Sequence, residues 1–275
     1  MSMPIAPAIP TTPAERLRWA LSDAWVVSGR ELIHWVRNPV VILNTLLFPL
    51  IMVLLFGYVF GSAMRVAGGG DYREFLMPGM FGQTMVFGVI STVYVVAANA
   101  ARGVTDRFRS MPVSSFGVLM GRVIADMLTS TLDLVILMLC GLLVGWRAHH
   151  GLGSALAAAG LLLLLRFALV WVGICMGLRL TPEGAGAAWM PLFPLTLLAN
   201  TFVSPELMPA WLRIIAEWNP LSATVQACRE LFGSPGLSGG SWAAEHAIEL
   251  AIGWPLLITV IFLPLSIRRY RRLNR

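Results

Sequence analysis

The chain has 275 residues, of which 57% are hydrophobic and 12% charged, and its formal net charge is +6. A soluble domain carries about 25% charged residues, so this composition excludes a soluble globular domain and describes a polytopic membrane protein with one membrane domain. Every basic residue is an arginine. The arginines sit at the ends of apolar runs, where they face anionic headgroups or fix topology, and the positive balance requires no nucleic acid.

In chain order, residues 1–13 read MSMPIAPAIPTTP. They have neither a basic start nor an apolar core, so they are not a signal peptide and are expected to be a disordered tail. Residues 14–37 repeat apolar positions at spacings of three and four (Leu17, Leu21, Ala24, Trp25, Ser28, Leu32, Trp35). Arg16, Asp23, Arg30 and Arg37 fall seven apart on another face. That pattern predicts an amphipathic helix lying in the membrane interface, with Trp19, Trp25 and Trp35 at headgroup depth and Pro39 ending it. A surface helix packed on a partner is the alternative. Residues 38–275 then form the membrane domain.

A spanning helix needs about 20 mostly apolar residues. Six runs qualify: 40–61, 78–101, 123–145, 154–180, 184–203 and 248–267. The expected fold is therefore an all-α membrane protein with six transmembrane helices. Fourteen arginines fall on the side of the termini and five on the other, which places both termini in the cytoplasm.

Residues 102–122, RGVTDRFRSMPVSSFGVLMGR, form the longest structured-looking loop on the inner side. Arg102, Asp106 and Arg109 share one face of a short helix, with Arg107 beside them. Phe108 and Met111 are apolar knobs, and Pro112 ends the helix. A charged rim around an apolar tip suits a groove on a soluble partner. A positive-inside loop held to lipid headgroups has the same charge pattern.

Asp133 and Arg166 both fall near mid-membrane on consecutive antiparallel spans. Because an unpaired charge there is costly, they are expected to pair and pin the third span to the fourth. The competing expectation is that one of them lines a substrate path. Asp126 sits nearer the inner face and is expected at the interface.

Between spans five and six, the segment 195–233 starts apolar and then breaks at Pro205, Pro209 and Pro220. It is too interrupted to cross a bilayer, and irregular backbone at membrane depth survives only against protein or a water-filled cavity. Two outer re-entrant half-helices are expected, near 205–217 and 222–232. Pro205, Glu206, Pro209, Trp211, Asn219, Pro220, Arg229 and Glu230 are candidates for an outer gate. For the charges, solvation and local ion pairing is the simpler reading. The outer tryptophans, Trp146, Trp211, Trp218 and Trp242, are expected in an aromatic belt.

A membrane enzyme would need a nucleophile–base pair or metal ligands at depth. The spans hold no histidine, no HExxH and no GxSxG, which disfavours an enzyme. No metal site is expected. A sensor or assembly subunit stays open.

The loop RGVTDRFRSMPVSSFGVLMGRVIAD resembles that of ABC-2-type exporter permeases, where a short coupling helix precedes a small-Pro-hydrophobic-Ser turn and a Gly-Arg opens the third span. TFVSPELMPAWLRIIAEWNPLSATVQACRELFG is similar to the same family's outer segment, with its Pro-Glu, Leu-x-Pro-x-Trp-Leu, Asn-Pro-Leu and Phe-Gly elements. The resemblance covers essentially the whole chain and is strongest to the actinobacterial daunorubicin-resistance type. It implies a bacterial plasma-membrane exporter subunit that pairs with a second permease, identical or not, and with two ATPase subunits. The coupling helix, about 102–112, would dock into the ATPase. ATP and magnesium would be bound there, because this chain has no GxxxxGK[ST] loop and binds no cofactor itself. The cargo implied is an amphipathic drug or lipid-like molecule, with a polysaccharide or glycolipid as the alternative.

Overall fold

The computed structural model describes residues 47, 49–59, 61, 66, 69–101, 115–236 and 240–273. Among them every regular element is a helix. The apolar helix α1, Pro49–Val59, closes in a π-helical turn. Three long helices follow: α2 (Tyr72–Ala101), α3 (Ser115–Val144) and α4 (Gly151–Gly177). Next come the short α5 (Pro182–Ala185) and, after a 3-10 turn, α6 (Trp189–Leu197). Then come α7 (Ala210–Glu217), α8 (Pro220–Phe232), the single turn α9 (Trp242–Glu245) and the long α10 (Ala247–Leu273).

Four of these helices, in α2, α3, α4 and α10, are long and apolar enough to cross a membrane. They answer to the second, third, fourth and sixth expected spans, so the chain is a multi-pass, all-helical membrane protein. Of the first expected span, 40–61, the helix Pro49–Val59 is what falls among the described residues. The fifth, 184–203, is not one continuous helix. Pro182 and Gly186 divide its start into α5 and a 3-10 turn, and α6 stops at Leu197. Pro191 and Pro194 each remove a backbone donor from it. The helical run 182–197 rises about 24 Å, short of the roughly 30 Å hydrocarbon core.

The second span starts six residues earlier than expected, at Tyr72. Asp71 caps it: its Oδ1 accepts from the Arg73 backbone N at 2.9 Å. That supplies an acceptor for a donor that the first turn leaves unpaired. Pro78 lies inside the helix and is buried.

The core divides by level. At one end, Phe75, Met77, Phe81, Leu137, Trp146, Leu162 and Phe232 pack together. Trp146, expected in the aromatic belt, is instead 1% exposed, with Phe81 and Phe232 edge-on at 5.1 and 4.8 Å between ring centres. At the other end, Leu119, Val123, Trp171, Ile174 and Tyr270 form a second cluster, beside the arginine-rich end of α10. Small residues let the helices close up. A β-carbon on Gly82 of α2 would meet Leu221 of α8 at 2.7 Å, and one on Gly177 of α4 would meet Val96 of α2 at the same distance.

Candidate functional site

The broken segment between α6 and α8 is a folded cap on the Trp146 end of the bundle. Asn219 and Pro220 start α8 together. Asn219 Oδ1 accepts from the Leu221 N at 2.9 Å, and its Nδ2 donates to the Leu195 carbonyl at 2.8 Å. One side chain thus caps α8 and ties it to the end of α6. Pro220 occupies the first helical position, where its missing N–H costs nothing. At the far end Gly233 takes a left-handed conformation (φ 71°), and Ser234 N reaches back to the Arg229 carbonyl at 2.9 Å.

Arg229 is the centre of this cap. It is 0% exposed. Its Nε and Nη2 both donate to the Phe75 carbonyl at 3.1 Å, and Nη2 also donates to the Asn200 carbonyl at 2.8 Å. The guanidinium carbon stands 3.8 Å from the centre of the Phe75 ring. The arginine therefore binds three elements at once: α8, the start of α2 and the turn after α6. Asn200 continues the stitching, its backbone N donating to Ser222 Oγ at 3.1 Å. Tyr72 Oη donates to the Phe202 carbonyl at 2.9 Å. The expected solvation or local ion pairing does not describe Arg229, which lies in protein with carbonyls and an aromatic face as its partners.

The other gate candidates occupy the outside of this cap. Pro205 is buried in a 3-10 turn, Glu206 and Pro209 are exposed, and Glu230 is partly buried. Trp211 on α7 is 67% exposed, while Trp218 and Trp242 stack with ring centres 5.9 Å apart. Arg213 and Glu217, one turn apart on α7, form an ion pair at 2.7 Å, the local pairing expected of these outer charges.

A second polar centre lies between α2, α3 and α4. Arg166 is 2% exposed. Its Nε donates to Ser130 Oγ at 2.8 Å and its Nη2 to Thr92 Oγ1 at 3.0 Å. The Thr92 hydroxyl passes the bond on to Asp126 Oδ2 at 2.8 Å. Asp126 also stands 3.9 Å from Arg166 and forms an ion pair with Arg122 one turn earlier on α3. Gly88 of α2 leaves the space, since a β-carbon there would meet the guanidinium at 2.8 Å.

One expectation is corrected here. The ion-pair partner of Arg166 is Asp126, not Asp133. Asp126 is 4% exposed. Positions 126, 130 and 133 fall on one face of α3. Arg166 engages the first two, and Asp133 Oδ1 is buried without a hydrogen-bond partner. Sequence reasoning passed over Thr92, Ser130, Asn200 and Ser222, because a lone small hydroxyl or amide in an apolar run reads as filler. The signal within reach was Arg122 and Asp126 at i, i+4.

The candidates of the interfacial helix (Arg16, Trp19, Trp25, Arg30, Trp35, Arg37) and of the coupling loop (Arg102, Asp106, Arg107, Phe108, Arg109, Met111, Pro112) lie outside the described residues. Among the described residues no three His, Cys, Asp or Glu side chains gather where they could hold a metal ion.

A bundle of apolar helices, a broken segment capping one end and an arginine-rich opposite end define a membrane permease domain. Residues 22–232 match the ABC-2 type transporter family, and the chain belongs to that family. It is 31% identical over 247 residues to the daunorubicin resistance ABC transporter permease protein DrrB1 of Streptomyces coeruleorubidus, covering 89% of this chain and 84% of that one. It is 26% identical to the putative transport permease ycf38 of Cyanophora paradoxa over 88% of this chain and 85% of that one. A shorter match, 30% identical over 94 residues, joins it to the doxorubicin resistance ABC transporter permease protein DrrB of Mycobacterium tuberculosis, covering 34% of this chain and 32% of that one.

Proposed function

We propose that this chain is the membrane-spanning permease subunit of an ATP-driven exporter that moves an amphipathic drug or lipid-like molecule outward. The observation that carries the reading is the family match across residues 22–232 on a chain whose described residues hold four candidate spans. The family's permeases work with a separate ABC ATPase. In this reading two ATPase copies bind the cytoplasmic face, a second permease completes the pathway, and ATP and magnesium stay on the ATPase.

The coupling helix at 102–112 receives the ATPase's movement, and the interfacial helix at 14–37 flanks that contact. Segments 40–61 and 184–203 complete six crossings, the latter as the broken helical run of α5 and α6 extended by the turn at 198–204, and both termini are cytoplasmic, as the arginine distribution favours. The cap of α7 and α8 then lies on the outer face, and its re-entrant half-helices gate the exit. A cargo of drug or lipid character is supported by the names of two relatives, which attach to daunorubicin and doxorubicin, and by the apolar surface of the spans. The carrier is expected in the bacterial plasma membrane.

The test is co-purification with a candidate ABC ATPase subunit from the same organism and measurement of ATP hydrolysis in vesicles. Phe108→Ala with Met111→Ala should abolish stimulation of the ATPase while the permease still inserts and folds. Unchanged stimulation and unchanged assembly would remove the coupling role from this loop.

A further inference from the structure

Residues 198–204 join the end of α6 to the 3-10 turn at Pro205 without regular structure of their own. Asn200, Thr201 and Ser204 are buried there. Asn200 Oδ1, Thr201 Oγ1 and Ser204 Oγ each have less than 1 Å² of accessible surface and no hydrogen-bond partner. Arg229, which clasps this turn, has its Nη1 in the same state. Folded chains pair most of their buried polar atoms, so a group of unpaired ones in a single turn is stored free energy.

The turn is nonetheless held shut. Arg229 donates to the Asn200 carbonyl at 2.8 Å, Ser222 Oγ accepts from the Asn200 N at 3.1 Å, and Tyr72 donates to the Phe202 carbonyl at 2.9 Å. Its seat is Gly79 of α2. A β-carbon at Gly79 would stand 2.7 Å from Thr201 Cγ2 and 2.9 Å from Thr201 Cα, so the missing side chain is what lets the turn lie on the helix. The two sets of forces oppose each other. The backbone bonds and the close seat favour a closed turn, and the stranded oxygens favour one that lifts into water. A cavity of about 10 Å³, bordered by Asn200, Pro205, Ser222 and Gln226, lies beside the turn and has room for about one water. The three oxygens stay out of its reach until the turn lifts.

We infer that the turn at 198–204 is a latch. Closed on Gly79, it fastens the cap to α2. Lifted, it hydrates Asn200, Thr201 and Ser204 and loosens the Arg229 clasp. The latch deepens the reading of the cap as an exit gate and rests on that reading for its purpose. Because the forces oppose, small changes at the seat tip the balance in either direction.

The test is hydrogen exchange, read by mass spectrometry, on the full chain in mild detergent. Thr201→Val, which keeps the shape and removes the hydroxyl, and Ser204→Ala should each slow exchange at 198–204 about fivefold, because the closed turn no longer strands that hydroxyl. Gly79→Ala should speed exchange there, because its methyl meets the Thr201 backbone. Unchanged or faster exchange in either hydroxyl variant would overturn the latch, and so would wild-type exchange in Gly79→Ala. If Gly79→Ala loosens α4 equally, the whole bundle has been destabilised, and the hydroxyl variants, which are expected to gain stability, decide alone. Slower exchange in Thr201→Val with ATP-driven doxorubicin efflux as fast as in the wild type leaves the latch standing and removes the exit-gate reading.

Discussion

Among the described residues the bundle buries two arginines, Arg166 between α2, α3 and α4 and Arg229 in the cap, and holds them by different means. Arg166 has a carboxylate, Asp126, reached directly at 3.9 Å and through the hydroxyl of Thr92. Arg229 has backbone carbonyls at 2.8 and 3.1 Å and the face of Phe75 at 3.8 Å. The first arrangement is a charge balance among spans that must stay packed in hydrocarbon. The second uses a cation as a three-way clasp, because its fork meets two carbonyls and its plane stacks on a ring. Each also leaves one Nη1 without a partner, so neither guanidinium is saturated. The difference teaches that a buried charge in this protein locates a junction, and that its partner tells whether the junction joins two spans or fastens an irregular segment.

The largest effect is expected at the carboxylate. Asp126 serves two cations, Arg122 and Arg166. Asp126→Asn leaves the buried Arg166 and the partly buried Arg122 without their shared carboxylate, and losing one partner of a buried pair costs about 3–5 kcal/mol. Thermal unfolding in detergent should show a large drop in midpoint, partly restored by adding Arg122→Gln. If Asp133→Asn proves as harmful as Asp126→Asn, the balance extends over both carboxylates and the comparison needs redrawing.

A smaller but still substantial loss is expected at the clasp. Arg229→Met removes the donors to Phe75 O and Asn200 O, and a buried group left unsatisfied costs about 1–3 kcal/mol. The total should be about 2–4 kcal/mol, below that of Asp126→Asn, because no charge is stranded. Arg229→Lys should recover only part, since an ammonium lacks the planar fork. The readout that separates the two junctions is local. Hydrogen exchange should rise in the turn at 198–204 and in α8 for Arg229→Met, and in α3 and α4 for Asp126→Asn. Equal protection throughout in both variants would mean that the cap and the spans unfold as one unit.

The two junctions differed in how readable they were. The helices α2, α3, α4 and α10 came from length and apolarity, because a lipid-facing surface demands both. Prolines 205, 209 and 220 marked the broken segment, since each removes a donor or fixes a helix start. That Arg166 needs a carboxylate was legible from depth alone. Which carboxylate it takes was not, because Asp126 and Asp133 lie seven residues apart on one face of α3 and only the axial offset between α3 and α4 chooses between them. Arg229 was legible as a charge and not as a clasp. Its acceptors are backbone carbonyls of Phe75 and Asn200, 154 and 29 residues away, and a carbonyl carries no sequence signature. The fifth run looked continuous by composition, although Pro191 and Pro194 already weighed against an unbroken helix.

The smallest effect bears on where the clasp's main acceptor sits. Phe75 O lies in the first turn of α2, and that turn is fixed by Asp71, which caps the Arg73 N at 2.9 Å and pairs with the Arg73 guanidinium at 2.7 Å. The hydrogen bond from Arg73 holds the Asp71 carboxyl below the usual carboxylate range. A carboxyl lowered in the folded state stabilises above its unfolded value, about 3.9, and that contribution fades as pH falls through the lower folded value. Both side chains are more than a third exposed, so solvent screens the pair and the cap is the larger part. Asp71→Ala should cost about 1 kcal/mol. Asp71→Asn, which keeps a capping oxygen, should cost only a few tenths and remove the acid sensitivity of this turn. The decisive comparison is Asp71→Ala in the Arg229→Met background. If the cap acts by holding Phe75 O for the clasp, the second loss is smaller there than in the wild type. If the two losses simply add, the cap stabilises α2 alone.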